Sequence, residues 1–325
     1  MSACVCTSAP ARLNAGNGGL GMPALETFLQ AIVNGLVLGS FYALIALGYT
    51  MIFGVIKLLN FAHGDVYMVG AFVGFGALSL VSGVVGAGWT GLAIAVLISM
   101  IAVGFLGVVI QRVAYQPMLS APRLSILITA LAVSLVLQNG ALSLTEGSYK
   151  AFRTDLGFGG FEFGRLFISH QAIVLVATAA VLMIALEFFV SRTMYGRAMR
   201  AVSIDKDMCR LLGINVNRVV AITFLIGSGL AAAAGTMAGA YYGSIWYFMG
   251  FLIGLKAFTA AVIGGIGSIT GAMLGGLILG LLESFGTQIP FIGSEWKDVF
   301  TFAILILVLV FKPTGLLGKS EVERM

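Results

Sequence analysis

The sequence is poor in charge: of 325 residues, 18 are basic and 13 acidic, 10% in all. An average soluble domain carries about a quarter charged residues. A chain that is 59% apolar, with a mean hydropathy of +1.05, lacks the polar surface of a water-soluble enzyme. Cysteine is scarce as well. Cys4 and Cys6 lie near the N-terminus and Cys209 in a charged loop, which leaves no disulfide framework. Cys4-x-Cys6 has neither a neighbouring histidine nor a second pair to complete a metal site. Residues 1–24 lack the basic start and compact apolar core of a signal peptide. They read as a disordered tail, or as residues upstream of a true start at Met22. Disorder of the whole chain is excluded by 23 Phe and long Leu/Ile/Val runs. The net charge of +5 does not point to nucleic acid, because membrane proteins retain Lys and Arg in their cytoplasmic loops.

What the sequence does have is apolar length. Windows run 28–53, 66–87, 91–110, 124–144, 170–190 and 219–242, followed by a Gly-rich block at 251–287 and a short run at 299–311. A crossing takes about 20 apolar residues. The 37-residue block has room for two short crossings broken near Gly267-Ser268-Ile269-Thr270-Gly271, or for a span and a re-entrant half-helix. The fold class is therefore an all-α polytopic membrane protein with eight or nine transmembrane segments, embedded in lipid over residues 25–318 and ending in a cytoplasmic tail at 319–325. Charge sets its orientation. The 191–218 loop carries Arg192, Arg197, Arg200, Lys206, Arg210 and Arg218 against Asp205 and Asp207, whereas the 145–169 loop is balanced. The first is expected in the cytoplasm and the second outside. Arg112 and Arg123 flank a connection on the cytoplasmic side, and Lys312, Lys319 and Arg324 favour a cytoplasmic C-terminus. That parity prefers nine crossings with the N-terminal tail outside.

Forty-four glycines decide how such helices meet. Lipid tails are as apolar as leucine, so helices associate where small residues let backbones approach. Gly35/Gly39, Gly70/Gly74, Gly235/Gly239, Gly250/Gly254, Gly271/Gly275 and Gly276/Gly280 are each four apart and describe a tightly packed bundle.

Two nucleotide-binding look-alikes fail on context. Gly16-x-Gly18-x-x-Gly21 follows no strand, and in Gly315-Leu-Leu-Gly-Lys-Ser320 the leading glycine of a phosphate-binding loop is replaced by Pro313. Ionisable residues inside the apolar windows are few: Glu187, Lys256 and Glu283, with Lys57, His63 and Asp65 in the connection at 54–65. No midplane chain of carboxylates and histidines, as a proton-coupled carrier needs, is evident. His63 and Asp65 straddle Gly64 and are expected to pair across a turn, or else to touch a substrate route. Glu283 is a candidate pathway-lining charge, or else pairs with a basic group such as Lys256 or faces an aqueous boundary. In the 191–218 loop, Ser203 is placed to cap a short helix over 203–213, with Asp205 and Asp207 in its first turn, Arg210 in its last and Gly213 as its stop. Met208, Leu211 and Leu212 fall at i, i+3 and i+4 and give it a narrow apolar face. Such a face rimmed by charge either docks into a partner's groove or lies against the membrane or the base of the bundle.

Several runs together resemble one known family. They are Asn34-Gly35-Leu36-Val37-Leu38-Gly39-Ser40, Tyr42 to Thr50, Asn60-Phe61-Ala62-His63-Gly64-Asp65-Val66-Tyr67-Met68, Gly196-Arg197-Ala198-Met199-Arg200-Ala201, Leu211-Leu212-Gly213-Ile214, Lys256 to Val262, Gly264 to Ile269, and Lys312 to Gly318. In register over about residues 27–325, the chain is similar to the permease subunits of branched-chain amino-acid ABC importers, the smaller of the two permease types. The resemblance implies a multi-pass protein of the bacterial inner membrane that works with a second permease subunit, two ABC ATPase subunits and a periplasmic or extracellular amino-acid-binding protein. The chain itself would bind no cofactor, ATP and magnesium being used by the partner subunits. The family's ATPase-coupling segment carries over onto Gly196, Arg197, Arg200, Asp205, Asp207, Met208, Leu211, Leu212 and Gly213, leaving Asn60, His63, Asp65, Lys256 and Glu283 as polar positions of the pathway or its scaffold. Two departures are the extension before Met22 and Asp65, where the family pattern often has Glu. Permeases for urea, short amides or other amino acids look similar. A secondary carrier would need a protonatable midplane site, and an embedded enzyme a convergent catalytic set.

Overall fold

The computed structural model describes residues 24–57, 59–118, 121–157, 159–163, 166–288, 296–312 and 314–318. Most of the 1–24 tail, with Cys4, Cys6, Met22 and the Gly16–Gly21 motif, lies outside the described residues, as do Pro313 and 319–325. The helices are α1 (Ala24–Ile56), α2 (His63–Val85), α3 (Trp89–Ile110), α4 (Arg123–Thr145), α5 (His170–Arg192), α6 (Met194–Ile204), α7 (Lys206–Leu211), α8 (Val216–Tyr242), α9 (Met249–Gly264), α10 (Ile269–Gly286) and α11 (Lys297–Phe311). A π turn at Gln111–Tyr115 and a 3-10 turn at Gln116–Met118 extend α3.

Seven of the described helices are long and apolar enough to cross a membrane: α1, α2, α3 with its extension, α4, α5, α8 and α10. α9 and α11 are apolar but only 16 and 15 residues long. At 1.5 Å per residue they reach about 24 Å, short of a hydrocarbon core of about 30 Å. The Gly-rich block is two helices, and Ser268 accepts a hydrogen bond from the Gly271 amide to start the second. The connection at 54–65 is shorter than expected. α1 continues to Ile56, Lys57 ends it at φ 61°, and His63 and Asp65 belong to α2.

The centre of the bundle is α1, α8 and α10. Most of the apolar window is buried in α1 (83%) and α8 (78%), against 28% in α4 and 22% in α5. The outer helices turn Leu131, Leu135, Val136, Val181, Ile184 and Phe188 outward, as suits lipid or a neighbouring subunit. All six glycine pairs lie at close contacts. The α1–α10 seam shows how close the approach is. A Cβ on Gly39 would stand 2.8 Å from the Cα of Leu277, and one on Gly35 2.8 Å from the Cα of Leu281. Backbone faces backbone there, and only a residue without Cβ allows it.

The loop at 145–169 is not wholly irregular. β1 (Lys150–Ala151) pairs antiparallel with β4 (Ser244–Ile245), and β2 (Gly160–Phe163) with β3 (Leu166–Ser169). Gln30 of α1 exchanges hydrogen bonds with the Phe167 backbone, so the chain enters the bundle at the strand end. At the other end, Lys206 Nζ donates to the Ile56 carbonyl (3.1 Å), and the Leu316 and Leu317 amides bond the carbonyls of Ile263 and Gly264. The basic 191–218 loop and the C-terminal segment thus share one end, opposite the balanced loop and the start of α1. That arrangement has an odd parity, which seven crossings and nine have in common.

Candidate functional site

At the basic end, α5, α6 and α7 fold as a jointed arm. Thr193 caps α6 by accepting from the Gly196 amide (3.1 Å). Gly196 is buried against the Val190 carbonyl, where a Cβ would collide with backbone. Arg200 donates to the Val190 and Ser191 carbonyls at the end of α5, the helix terminus where a cation is favoured. Met199 and Val202 face the bundle, and Arg197 lies one turn before Ala201 on the same helix.

The single helix expected over 203–213 is two. α6 runs through Ser203, whose Oγ donates back to the Arg200 carbonyl (2.7 Å) and caps nothing. Asp205, at φ −150° and ψ 112°, is the N-cap of α7, and its Oδ1 accepts from the Asp207 and Met208 amides at 2.9 Å each. The reason is packing: burying Met199 and Val202 carries the first helix past Ser203, and the break falls at the next side chain able to cap. Asp207 stays in the first turn, Arg210 in the last, and Gly213 ends the element at φ 80°. The Asp207–Arg210 ion pair (2.9 Å) is exposed and contributes little. Lys206 is held toward α1, and its burial, with Arg210 and Lys57 nearby, lowers its ammonium below the usual lysine value despite Asp207.

Cys209 points inward and is buried. Ile204 (87% exposed), Met208 (53%), Leu211 (82%) and Leu212 (73%) point outward. Four apolar side chains on the most charged end of the molecule form a ridge with its foot fixed to α1 and α8. Beside it, Lys57, Glu187, Arg200, Ser203, Thr270 and Leu317 border a cavity of about 1220 Å³.

The buried polar residues form separate groups. Asn60 accepts from Tyr115 Oη (2.5 Å) and from the Ala62 amide (3.1 Å), which pins the start of α2 to the π turn. His63 and Asp65 do not pair with each other. Asp65 accepts from Ser134 Oγ (2.5 Å) and Gln138 Nε2 (3.0 Å) of α4. Its carboxylate is turned toward one of the outer helices. His63 is fully buried against Gly48 and in a T-shaped contact with the Tyr49 ring. One residue on, Gly64 meets α9, where an added Cβ would stand 2.8 Å from the Cα of Gly254.

The third group is ionic. Lys256 Nζ lies 2.7 Å from Glu283 Oε1 and 2.7 Å from Asp298 Oδ1, and Tyr42 Oη donates to Glu283 Oε2 (2.7 Å). The structure thus brings Lys256 and Glu283 together, and adds Tyr42 from α1 and Asp298 from α11, two partners that sequence reasoning missed. Ser134 and Gln138 were missed likewise. The available signal for them was a polar pair at i, i+4 on one face of an apolar helix.

Over 92% to 94% of its length this chain is 45% to 46% identical to two curated permeases. These are the high-affinity branched-chain amino acid transport system permease protein BraD of Pseudomonas aeruginosa (46% over 311 residues, all of that protein) and LivH of Escherichia coli (45% over 316 residues, 98% of that protein). The profile of the family described as branched-chain amino acid transport system / permease component matches residues 31–309. The chain belongs to this family. A more distant relative, the probable branched-chain amino acid transport permease LivH of Methanocaldococcus jannaschii, is 26% identical over 307 residues, 87% of this chain and 90% of that protein. Membership makes the bundle a polytopic permease, and the match takes in the glycine seams, the jointed arm and the ionic group alike.

Proposed function

We propose that this chain is a permease subunit of an ATP-driven importer of branched-chain amino acids in the inner membrane, forming half of a pathway completed by a second permease. Two ABC ATPase subunits would hold the ATP and magnesium, and an external binding protein would deliver the substrate. The observation that carries the reading is the ridge of Ile204, Met208, Leu211 and Leu212 on an arm whose foot is hydrogen-bonded to the end of α1. A helix seated in a partner's groove transmits that partner's motion only if its base is tied to what must move. Lys206, Arg200 and Asp205 supply those ties, with Gly196 and Gly213 making the joints. A ligand shifts such an equilibrium only by binding its two states differently, so closure of the ATPases must change how they hold this ridge. The test is Leu211→Asp with Leu212→Asp in the reconstituted four-subunit complex. Uptake of leucine and its stimulation of ATP hydrolysis are expected to fall together. Unchanged uptake with unchanged stimulation refutes the coupling role, and uptake without any ATPase subunit refutes the importer reading.

A further inference from the structure

The ionic group has a setting that pairing alone does not explain. Lys256, Glu283 and Asp298 border a cavity of about 290 Å³ at the strand end of the bundle, opposite the arm. The rest of its wall is largely aromatic and aliphatic, with Phe41, Tyr242, Trp246 and Leu252 among its members. Pockets for small ligands have this character, an apolar wall with a few convergent polar groups. Three features indicate what such a ligand carries. First, the lining holds two cations, Lys256 and Lys297, and two carboxylates, Glu283 and Asp298, so a ligand without net charge leaves the balance intact. Second, the Tyr67 hydroxyl is buried at this wall with no hydrogen-bond partner among the described residues, and a buried polar group left so is costly. Third, Asp298 Oδ1 is buried and stands at ion-pair distance from Lys256, yet outside hydrogen-bond geometry, so this is the contact that a better-placed donor would replace.

We infer that this cavity is a transient acceptor site for the zwitterion of an apolar amino acid, entered from the side opposite the arm. The ligand's ammonium would take Asp298 and its carboxylate would take Lys256 and the Tyr67 hydroxyl, while its side chain lies against Trp246 and Leu252. Glu283 and Tyr42 would hold Lys256 in place. The inference rests on the reading of the chain as an amino-acid permease and adds a binding site within this subunit.

The test is cysteine protection in the membrane-embedded complex, with Cys4→Ser, Cys6→Ser and Cys209→Ala removing the native thiols. Leu252→Cys, at a position 41% exposed, then places a single thiol in the cavity wall for a water-soluble methanethiosulfonate reagent. L-leucine is expected to slow labelling at concentrations at least about tenfold below those needed of isocaproate or isoamylamine, each of which lacks one of the two charge-assisted contacts. Asp298→Asn is expected to remove the protection by leucine. A thiol the reagent cannot reach, absence of protection, or equal protection by all three probes overturns the site. ATP-driven leucine uptake by the parent complex is measured alongside. Its absence with protection retained removes the importer reading and leaves the site, and its presence without protection removes the site alone.

Discussion

Lys256 is the single cation shared by two carboxylates, and this makes its removal unequal to the removal of either partner. Its side chain is 6% exposed and that of Glu283 4%. Changing Lys256→Met leaves Glu283 buried with, among the described residues, only the Tyr42 hydroxyl as donor, and removes the ion pair between Asp298 and Lys256. Stranding a buried charge in this way costs about 3–5 kcal/mol. Glu283→Gln is milder. The amide can turn its oxygen to Lys256 and donate its NH2 to the Tyr42 oxygen, and Lys256 keeps Asp298, so the loss is that of the charge assistance, about 1.5–3 kcal/mol. The double change Lys256→Met with Glu283→Leu removes both members of the deeper pair. It is expected to be more stable than Lys256→Met alone, since a buried pair replaced by apolar groups is often neutral. Reversible unfolding of the purified protein in mixed micelles, followed by tryptophan fluorescence, reads this order directly. A Lys256→Met variant no less stable than Glu283→Gln, or a double variant less stable than Lys256→Met, refutes the reasoning that the group is held as a buried, shared ion pair.

Two further outcomes follow from the packing and the arm. Gly39→Ala is expected to destabilise by about 1–3 kcal/mol, because the new methyl meets the Leu277 backbone and must part α1 from α10. Gly76→Ala, which meets nothing within 4 Å, is expected to be neutral or to stabilise by up to about 1 kcal/mol through helix propensity, and the same unfolding assay compares them. Asp205→Ala removes the cap of α7 at a cost of about 0.5–2 kcal/mol. Hydrogen exchange should then quicken at the Asp207 and Met208 amides without change in α8, and an unaltered exchange pattern refutes the cap assignment.

Much of the architecture was legible because its causes are local. Six glycine pairs at helical spacing announce close helix contacts whatever helices they meet. Asp207, Arg210 and Gly213 keep their expected places because macrodipole and left-handed backbone preferences act over a single turn. Ser203 misled for an equally physical reason. Ser203 and Asp205 are both good caps, and the choice between them was made by Met199 and Val202 seeking the bundle. His63 and Asp65 misled because adjacency in sequence suggested a pair, whereas a helix turns residues two apart toward different neighbours.

By itself the sequence determined the solvent and the polarity of this protein. Apolar length demands lipid, because a helix satisfies its own backbone there, and the excess of Lys and Arg in one loop marks one end of the bundle. Only the tertiary structure decided which charges meet. Tyr42 and Glu283 are 241 residues apart and Asp65 and Ser134 are 69 apart, distances over which no periodicity carries information. In the low dielectric of the bundle each of these groups takes whatever partner the packing brings within reach. The glycine seams set that packing, and so they place the ionic group at the wall of the outer cavity.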